Sequence, residues 1–456
     1  MLRLFRKQTE DNHTQLFTDG ELRRLMIPLF MEQLLIVVMS IINTKMVAFV
    51  GESAVSAISL VDSINILLIN VFAALATGGA VVAAQYLGRK ELEMAGKAAK
   101  QLIYVMLAVS LVISLLSLVF YKGILNLVFP NVSSEIMDYC RTYFLIIALS
   151  FPFLSVFNGG SALLRAAGNS KASLNTTLLI NVINVAGNAL LIYVFRLGME
   201  GAALAALFAR MTGSVIMLVL LKDPHQMLRI PALLKFQWDG AMVQRILGVG
   251  IPNGLENSMF QLGKILLQRL ISSIGSVAIA ANAVAGTLAG FQTIPGAAAG
   301  LAMITVIGRC AGAKEYGQAR RYVRKLMGFS YVTMTLLVGV ILLICPSVIT
   351  SYGLRKETAE LTWRLMIVYT IVCAVIWPSS FSLPNALRAA GDVRFTMVVS
   401  GLSMLIFRIG FSYLLVLKFN MGVMGVWVAM MIDWLTRSAA FYWRYRSGVW
   451  EKRTVL

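Results

Sequence analysis

Runs of about 20 mainly apolar residues recur from one end of the chain to the other, and each is long enough to cross a hydrocarbon layer roughly 30 Å thick. With 58% hydrophobic and only 13% charged residues, these side chains exceed what a soluble core hides. Lipid must be the main solvent. The length criterion, with Gly, Pro and charge punctuation, predicts spans at 25–49, 55–87, 101–128, 139–163, 173–195 and 202–221, then at 246–271, 277–307, 327–352, 361–386, 395–417 and 422–443. The expected fold is an all-α membrane protein with twelve transmembrane helices in two parallel six-helix repeats. Its parts are a cytoplasmic N-terminal segment (1–24), an N-terminal bundle (25–221), a cytoplasmic linker (222–245), a C-terminal bundle (246–443) and a cytoplasmic tail (444–456). The first 24 residues lack the apolar stretch and small-residue cleavage site of a signal peptide, so the first span is expected to act as an uncleaved insertion signal.

A net charge of +19 would suggest nucleic acid in a soluble protein, but here the basic residues lie mostly between apolar runs. Arg89, Lys90, Lys97 and Lys100 follow the second span, Lys222, Arg229, Lys235 and Arg245 the sixth, and Arg309, Lys314, Arg320, Arg321, Arg324 and Lys325 the eighth. Those sides are expected in the cytoplasm, with both termini, in the plasma membrane. Cys140, Cys310, Cys345 and Cys373 lack metal or redox spacing and read as packing residues. His13 and His225 have no ligand partners nearby, so no metal is expected. The Asn131-Val132-Ser133 sequon reads as accidental.

Sliding the chain against itself by 224 positions reveals an internal repeat. Ile27, Pro28 and Glu32 fall on Ile251, Pro252 and Glu256; Gly51 falls on Gly275; Gly88, Lys90, Glu91 and Ala95 fall on Gly312, Lys314, Glu315 and Ala319. After a one-residue slip, Leu164 to Gly168 repeats as Leu387 to Gly391, Leu-Arg-Ala-Ala-Gly in both. Because each half holds an even number of expected spans, the copies run parallel. Parallel repeats are a transporter architecture with substrate handled between the halves.

These residues resemble the multidrug and toxic compound extrusion (MATE) family over nearly the whole chain. The resemblance rests on Gly51 to Ala57, Ala76 to Gly88 with Ala95, Gly300 to Ala319 and the two Leu-Arg-Ala-Ala-Gly segments. It implies a V-shaped pair of bundles exchanging a drug-like molecule, often an organic cation, for inward-moving protons or sodium. Where many members look like Asp-Thr-x-Met-Val, this chain reads Asn43-Thr44-Lys45-Met46-Val47, and where some place an acid in the tenth helix it has Trp377. Coupling must therefore use other groups or be weakened.

Ionisable residues inside spans cost roughly 2.5–3.5 kcal/mol each, so they usually face a cavity or a partner. Glu32 and Glu256, each four residues after a proline, are the leading ion-coupling candidates, and Asp62, one turn from Asn65, is the third. The competing reading gives each Glu a basic partner and Asp62 a packing role. Asp433 and Arg437 have the spacing of an intrahelical ion pair. Asn43, Asn65, Asn257, Gln261, Asn282, Gln292 and Trp377 are expected to line a substrate cavity. Gly79, Gly88, Gly300 and Gly312 are expected to let helices approach closely. No phosphate loop, zincin or nucleophile motif is present, so neither ATP nor an enzymatic role is evident. The expected function is export of amphipathic, often cationic small molecules by alternating access, without a cofactor beyond the coupling ion, by a monomer in contact with lipid and not with nucleic acid. The alternative, raised by basic residues within spans such as Lys45, Lys264 and Arg269, is a flippase or exporter of an anionic lipid-linked precursor.

Overall fold

The computed structural model describes residues 15–130, 132–230, 233 and 235–456, so His13, Asn131 and residues 1–14 of the N-terminal segment lie outside the described residues. Helix dominates: α1 (Asp19–Ala48), α2 (Glu52–Gly88), α3 (Leu92–Val128), α4 (Ser134–Leu149), α5 (Phe151–Ala166), α6 (Ser170–Asn188), α7 (Gly198–Lys222), α8 (Gly240–Ile274), α9 (Ser276–Gly312), α10 (Tyr316–Ser351), α11 (Lys356–Trp377), α12 (Leu383–Ala390), α13 (Val393–Ser403), α14 (Phe411–Leu417) and α15 (Gly422–Arg446). Three π-helical stretches, Ala189–Val194, Pro378–Ser382 and Met404–Gly410, interrupt otherwise continuous rods.

Local chemistry sets the ends. Thr18 and Glu21 form a capping box that starts α1 at Asp19, inside the segment expected to precede the first span. Asn169 and Asp239 cap α6 and α8 by accepting from the amides of Ala172 and Met242. The turn between α2 and α3 is short, so Lys97 and Lys100 belong to α3 and not to a loop; Arg320 to Lys325 likewise open α10. Lys90 and Lys314, 224 positions apart, both take the left-handed conformation in these turns, with φ 64° and 60°.

Among the described residues, nine helices are long and apolar enough to cross a membrane, or ten if α4 and α5, bent by 49°, form one span. The expected count of twelve is not reached on this criterion because α8 and α15 are diluted by polar side chains, including Glu256, Asn257, Gln261 and Lys264 in the first and Asp433 and Arg437 in the second. All of these but Asp433 line the cavity described below.

Helices from the two halves of the chain meet along α2, which packs on α8 and α9, and along α1, which packs on α9. Every residue from Gly78 to Gly88 is buried, and α9 is nearly as enclosed from Ile294 to Gly312, whereas the first halves of both helices bury one face only. The tight contact therefore lies at the end carrying the basic turns. A Cβ at Gly88 would stand 2.0 Å from the carbonyl oxygen of Arg309, and one at Gly312 would stand 1.9 Å from that of Gln85. Only glycine permits this backbone-to-backbone approach. Around it, Gln85 Nε2 donates to the Ala389 carbonyl at 2.8 Å, and Arg309 Nε and Nη2 donate to the Ala166 carbonyl at 3.1 and 3.0 Å. Gln85 and Arg309 occupy equivalent positions of the repeat, as do Ala166 and Ala389, so the two clasps are reciprocal. Gly79 and Gly300 also make close approaches, to Leu102 and Asn385 side chains.

All four cysteines are free and buried. Cys310, beside the glycine contact, reports on it. Gly88→Val must part α2 from α9, and maleimide labelling of Cys310 is expected to rise severalfold while that of Cys140 stays unchanged, as read by mass spectrometry; equal protection of Cys310 in both proteins would contradict this account of the contact.

Candidate functional site

A chamber of about 870 Å³ lies among α8, α9, the α11–α12 rod, the π-helical stretch at Met404–Gly410 and α15, a volume in the range of drug-sized sites. Asn257, Gln261, Asn282 and Trp377 line it, as expected from the sequence. Its aromatic wall includes Phe260, Tyr369, Trp427 and Trp434, and Trp377 stacks on Phe381 with ring centroids 4.8 Å apart. Asn282 is already engaged, accepting from Trp427 Nε1 at 3.0 Å. Gln292 does not reach the chamber: it is buried and donates to the Thr370 carbonyl at 2.7 Å, fastening α9 to α11. Its expected substrate role is therefore corrected to packing.

The charges on this lining have the opposite sign to that expected for organic cations. Lys264, Arg388, Arg408 and Arg437 face it against one carboxylate, Glu256. Arg388 pairs with Glu256 at 2.6 Å, and Arg437 approaches the same oxygen at 3.8 Å. Arg408 lies 3.6 Å from Asp433, which also accepts from Ser403 at 2.6 Å. The expected intrahelical pair of Asp433 with Arg437 is thus replaced: Asp433 turns to Arg408, and Arg437 lies over the rings of Phe260 and Phe381 at 4.7 and 4.4 Å.

Glu32 has the counterpart arrangement in the first half. It meets Arg165 at 3.1 Å and accepts from Ser173 at 3.2 Å, while Arg165 also donates to Ser161. Glu32–Arg165 and Glu256–Arg388 are one ion pair made twice, with each arginine supplied by a Leu-Arg-Ala-Ala-Gly segment. The competing reading, a basic partner for each Glu, is the one the structure shows, and each helix bearing the Glu is pinned to the end of α5 or α12.

A second, smaller chamber of about 320 Å³ is enclosed by α1, α2, α4, α6 and α7. Asn43, Ser59, Asp62, Asn181, Asn184, Asn188 and Arg210 line it. Asn188 donates to Asn43 at 3.3 Å, and Arg210 donates to Ser150 at 2.5 Å. Asn65 donates to Asp62 at 3.0 Å but lies behind the lining, so it positions the acid instead of facing the cavity. Asp62 makes no ion pair among the described residues. Lys45 and Arg269 are exposed on their helices and enter neither chamber.

Sequence reasoning missed Arg165, Arg388, Gln85 and Arg309 as parts of the site. The signal existed for all four, since each falls at an equivalent position of the repeat and carries a polar side chain.

Comparison with known proteins fits this geometry. A sequence model of the MatE family matches the chain twice, at residues 28–190 and 252–414, the second match displaced by the same 224 positions as the repeat. The chain belongs to the MatE (multidrug and toxic compound extrusion) family. It is 25% identical over 450 residues to a protein of Thermotoga maritima described as "Probable multidrug resistance protein NorM", covering 96% of this chain and 94% of that one. Its fold resembles that of a structure titled "Outward-facing conformation of a multidrug resistance MATE family transporter of the MOP superfamily", with a TM-score of 0.87 at 19% identity and coverage of 95% and 96%. It also resembles a Pyrococcus furiosus transporter whose title reads "Reverse polarity of binding pocket suggests different function of a MOP superfamily transporter", with a TM-score of 0.88 at 18% identity, again covering 95% and 96%. MatE proteins are transporters and not enzymes, so this chain is a multi-pass membrane transporter of small molecules.

Removing one partner of a buried ion pair costs about 3–5 kcal/mol, because the other charge stays behind. Arg165→Gln should therefore lower the melting temperature of this MatE protein in detergent well below that of the Glu32→Gln/Arg165→Gln double variant, because Glu32 has no second basic partner among the described residues. A double variant as unstable as the single would show that the pair is not the interaction lost.

Proposed function

We propose that the chain is an ion-coupled antiporter that exports amphipathic small molecules by alternating access, with the two chambers dividing the work. The larger one, in the second half, holds the exported molecule; the smaller one, in the first half, exchanges the coupling proton or sodium. The observation that carries this division is Asp62. Of the three candidate acids it is the one without an ion pair among the described residues, and it sits in a chamber lined with amide and hydroxyl groups and one guanidinium, that of Arg210, which is itself engaged with Ser150. A carboxylate in such a place can take up a proton, or bind sodium together with Asn and Ser oxygens. Glu32 and Glu256, held by arginines, brace their halves so that each moves as a unit.

This reading takes α8 and α15 as spanning helices, completing twelve in two six-helix halves. Their charges are tolerated because they face the chamber and one another and not lipid. It places the basic turns in the cytoplasm, so that the tight contact around Gly88 and Gly312 closes the cytoplasmic side and the described state faces outward. The NorM relative and the reciprocal clasps support it: separating those clasps is the motion that would open the opposite side.

In proteoliposomes, substrate exchange driven side by side by proton and sodium gradients identifies the ion. Asp62→Asn should abolish the gradient-driven component while leaving equilibrium binding of substrate within about twofold, since it lies outside the larger chamber. Wild-type coupling in Asp62→Asn would remove this residue from the mechanism.

A further inference from the structure

We infer that the larger chamber recognises organic anions: an apolar or aromatic body carrying a carboxylate, sulfonate or phosphate, with Lys264, Arg408 and Arg437 as the groups that meet its charge. Binding of such an anion stands on the chamber alone; only its movement across the membrane rests on the transport reading above.

The inference follows from charges that the protein leaves unmet. Arg388 is answered by Glu256 and Arg408 by Asp433. Arg437, only 1% exposed, shares Glu256 at a longer distance; among the described residues its Nε and Nη1 atoms and Nε of Arg408 have no hydrogen-bond partner, against one such oxygen on each of Glu256 and Asp433. Lys264 projects into the same space and makes no hydrogen bond or ion pair among the described residues. Two positive charges are therefore in excess on a lining otherwise built of rings and amides. The buried arginine donors are costly until an acceptor arrives, Lys264 stands exposed beside them, and an anionic oxygen is the acceptor all three bond most strongly. The rings over which Arg437 lies offset part of its charge but accept none of its in-plane N–H bonds.

The shape of the chamber defines the rest of the ligand. Trp377 and Phe381 stack in parallel, and Trp434 meets Phe381 edge-on with centroids 5.8 Å apart, presenting flat apolar walls beside the basic groups. A planar aromatic anion satisfies both features at once. An organic cation would find the rings but would add a like charge next to Lys264 and Arg437, with Glu256 already shared by two arginines.

The test uses the purified full-length protein in detergent and two fluorescent aromatic probes of opposite sign, carboxyfluorescein and ethidium, with binding read by anisotropy. Carboxyfluorescein should bind at least ~10-fold more tightly than ethidium; Lys264→Glu should weaken it by about 10-fold and strengthen ethidium, and Lys264→Arg should restore the wild-type order. Thermal melts of both variants should match wild type, because Lys264 takes no part in the ion pairs. A third probe, farnesyl diphosphate, separates sources: displacement of carboxyfluorescein by it at comparable concentration assigns the site to lipid-borne phosphates as well as soluble anions, and both results support the anion chemistry. Tighter binding of ethidium by the wild type, or carboxyfluorescein binding indifferent to Lys264→Glu, would overturn it. Anion binding without ion-driven exchange would leave this inference standing and remove the transport reading; ion-driven exchange of ethidium without anion binding would do the reverse.

Discussion

The contact on which the rest of the structure depends is the meeting of α2 and α9 at Gly88 and Gly312, where backbone touches backbone. It closes one end of the space between the halves, where every residue of α2 from Gly78 to Gly88 is buried. Two hydrogen-bonded clasps surround it, Gln85 to Ala389 and Arg309 to Ala166, each reaching from one half to the end of a helix in the other. Hydrogen bonds of this sort contribute about 1 kcal/mol each. They are strong enough to define a closed state and weak enough to be exchanged for another.

Charge inside the protein is arranged by the same duplication. Glu32–Arg165 and Glu256–Arg388 tie the proline-bearing first helix of each half to the end of its Leu-Arg-Ala-Ala-Gly segment. Beyond this shared frame the halves diverge. The first half keeps one carboxylate, Asp62, in a small polar chamber, whereas the second has a larger aromatic chamber in which basic groups outnumber acids. The two halves thus hold pockets of different size and charge, the smaller balanced between Asp62 and Arg210 and the larger net basic.

Much of this was legible in the sequence, and the reason is that charged and glycine residues in turns were copied in order while the apolar helices drifted. Gly88 with Gly312, Lys90 with Lys314 and the two Leu-Arg-Ala-Ala-Gly segments fixed the repeat, and Asn257, Gln261, Asn282 and Trp377 do line the chamber. What stayed hidden depends on rotation about helix axes and on distant partners. Nothing in one dimension tells that Gln292 turns to Thr370 and not inward, or that Asp433 prefers Arg408 to an arginine one turn away. Arg165 and Arg388 read as turn residues because their partners lie more than 130 positions earlier in the chain. The polarity of α8 and α15, which makes them fail a test of apolar length, is the imprint of the chamber they border.

The central claim is that closure around Gly88 and Gly312 is one of two states of the working protein. Spin labels at Glu93 and Gly317, exposed and equivalent positions at the starts of α3 and α10, allow the distance across this end to be measured in lipid by pulsed electron resonance. The account predicts two populations, a shorter distance matching the structure and a longer one, whose ratio shifts when the pH or sodium concentration changes. A single short distance, indifferent to pH, sodium and added substrate in a protein that still exchanges solutes, would contradict it.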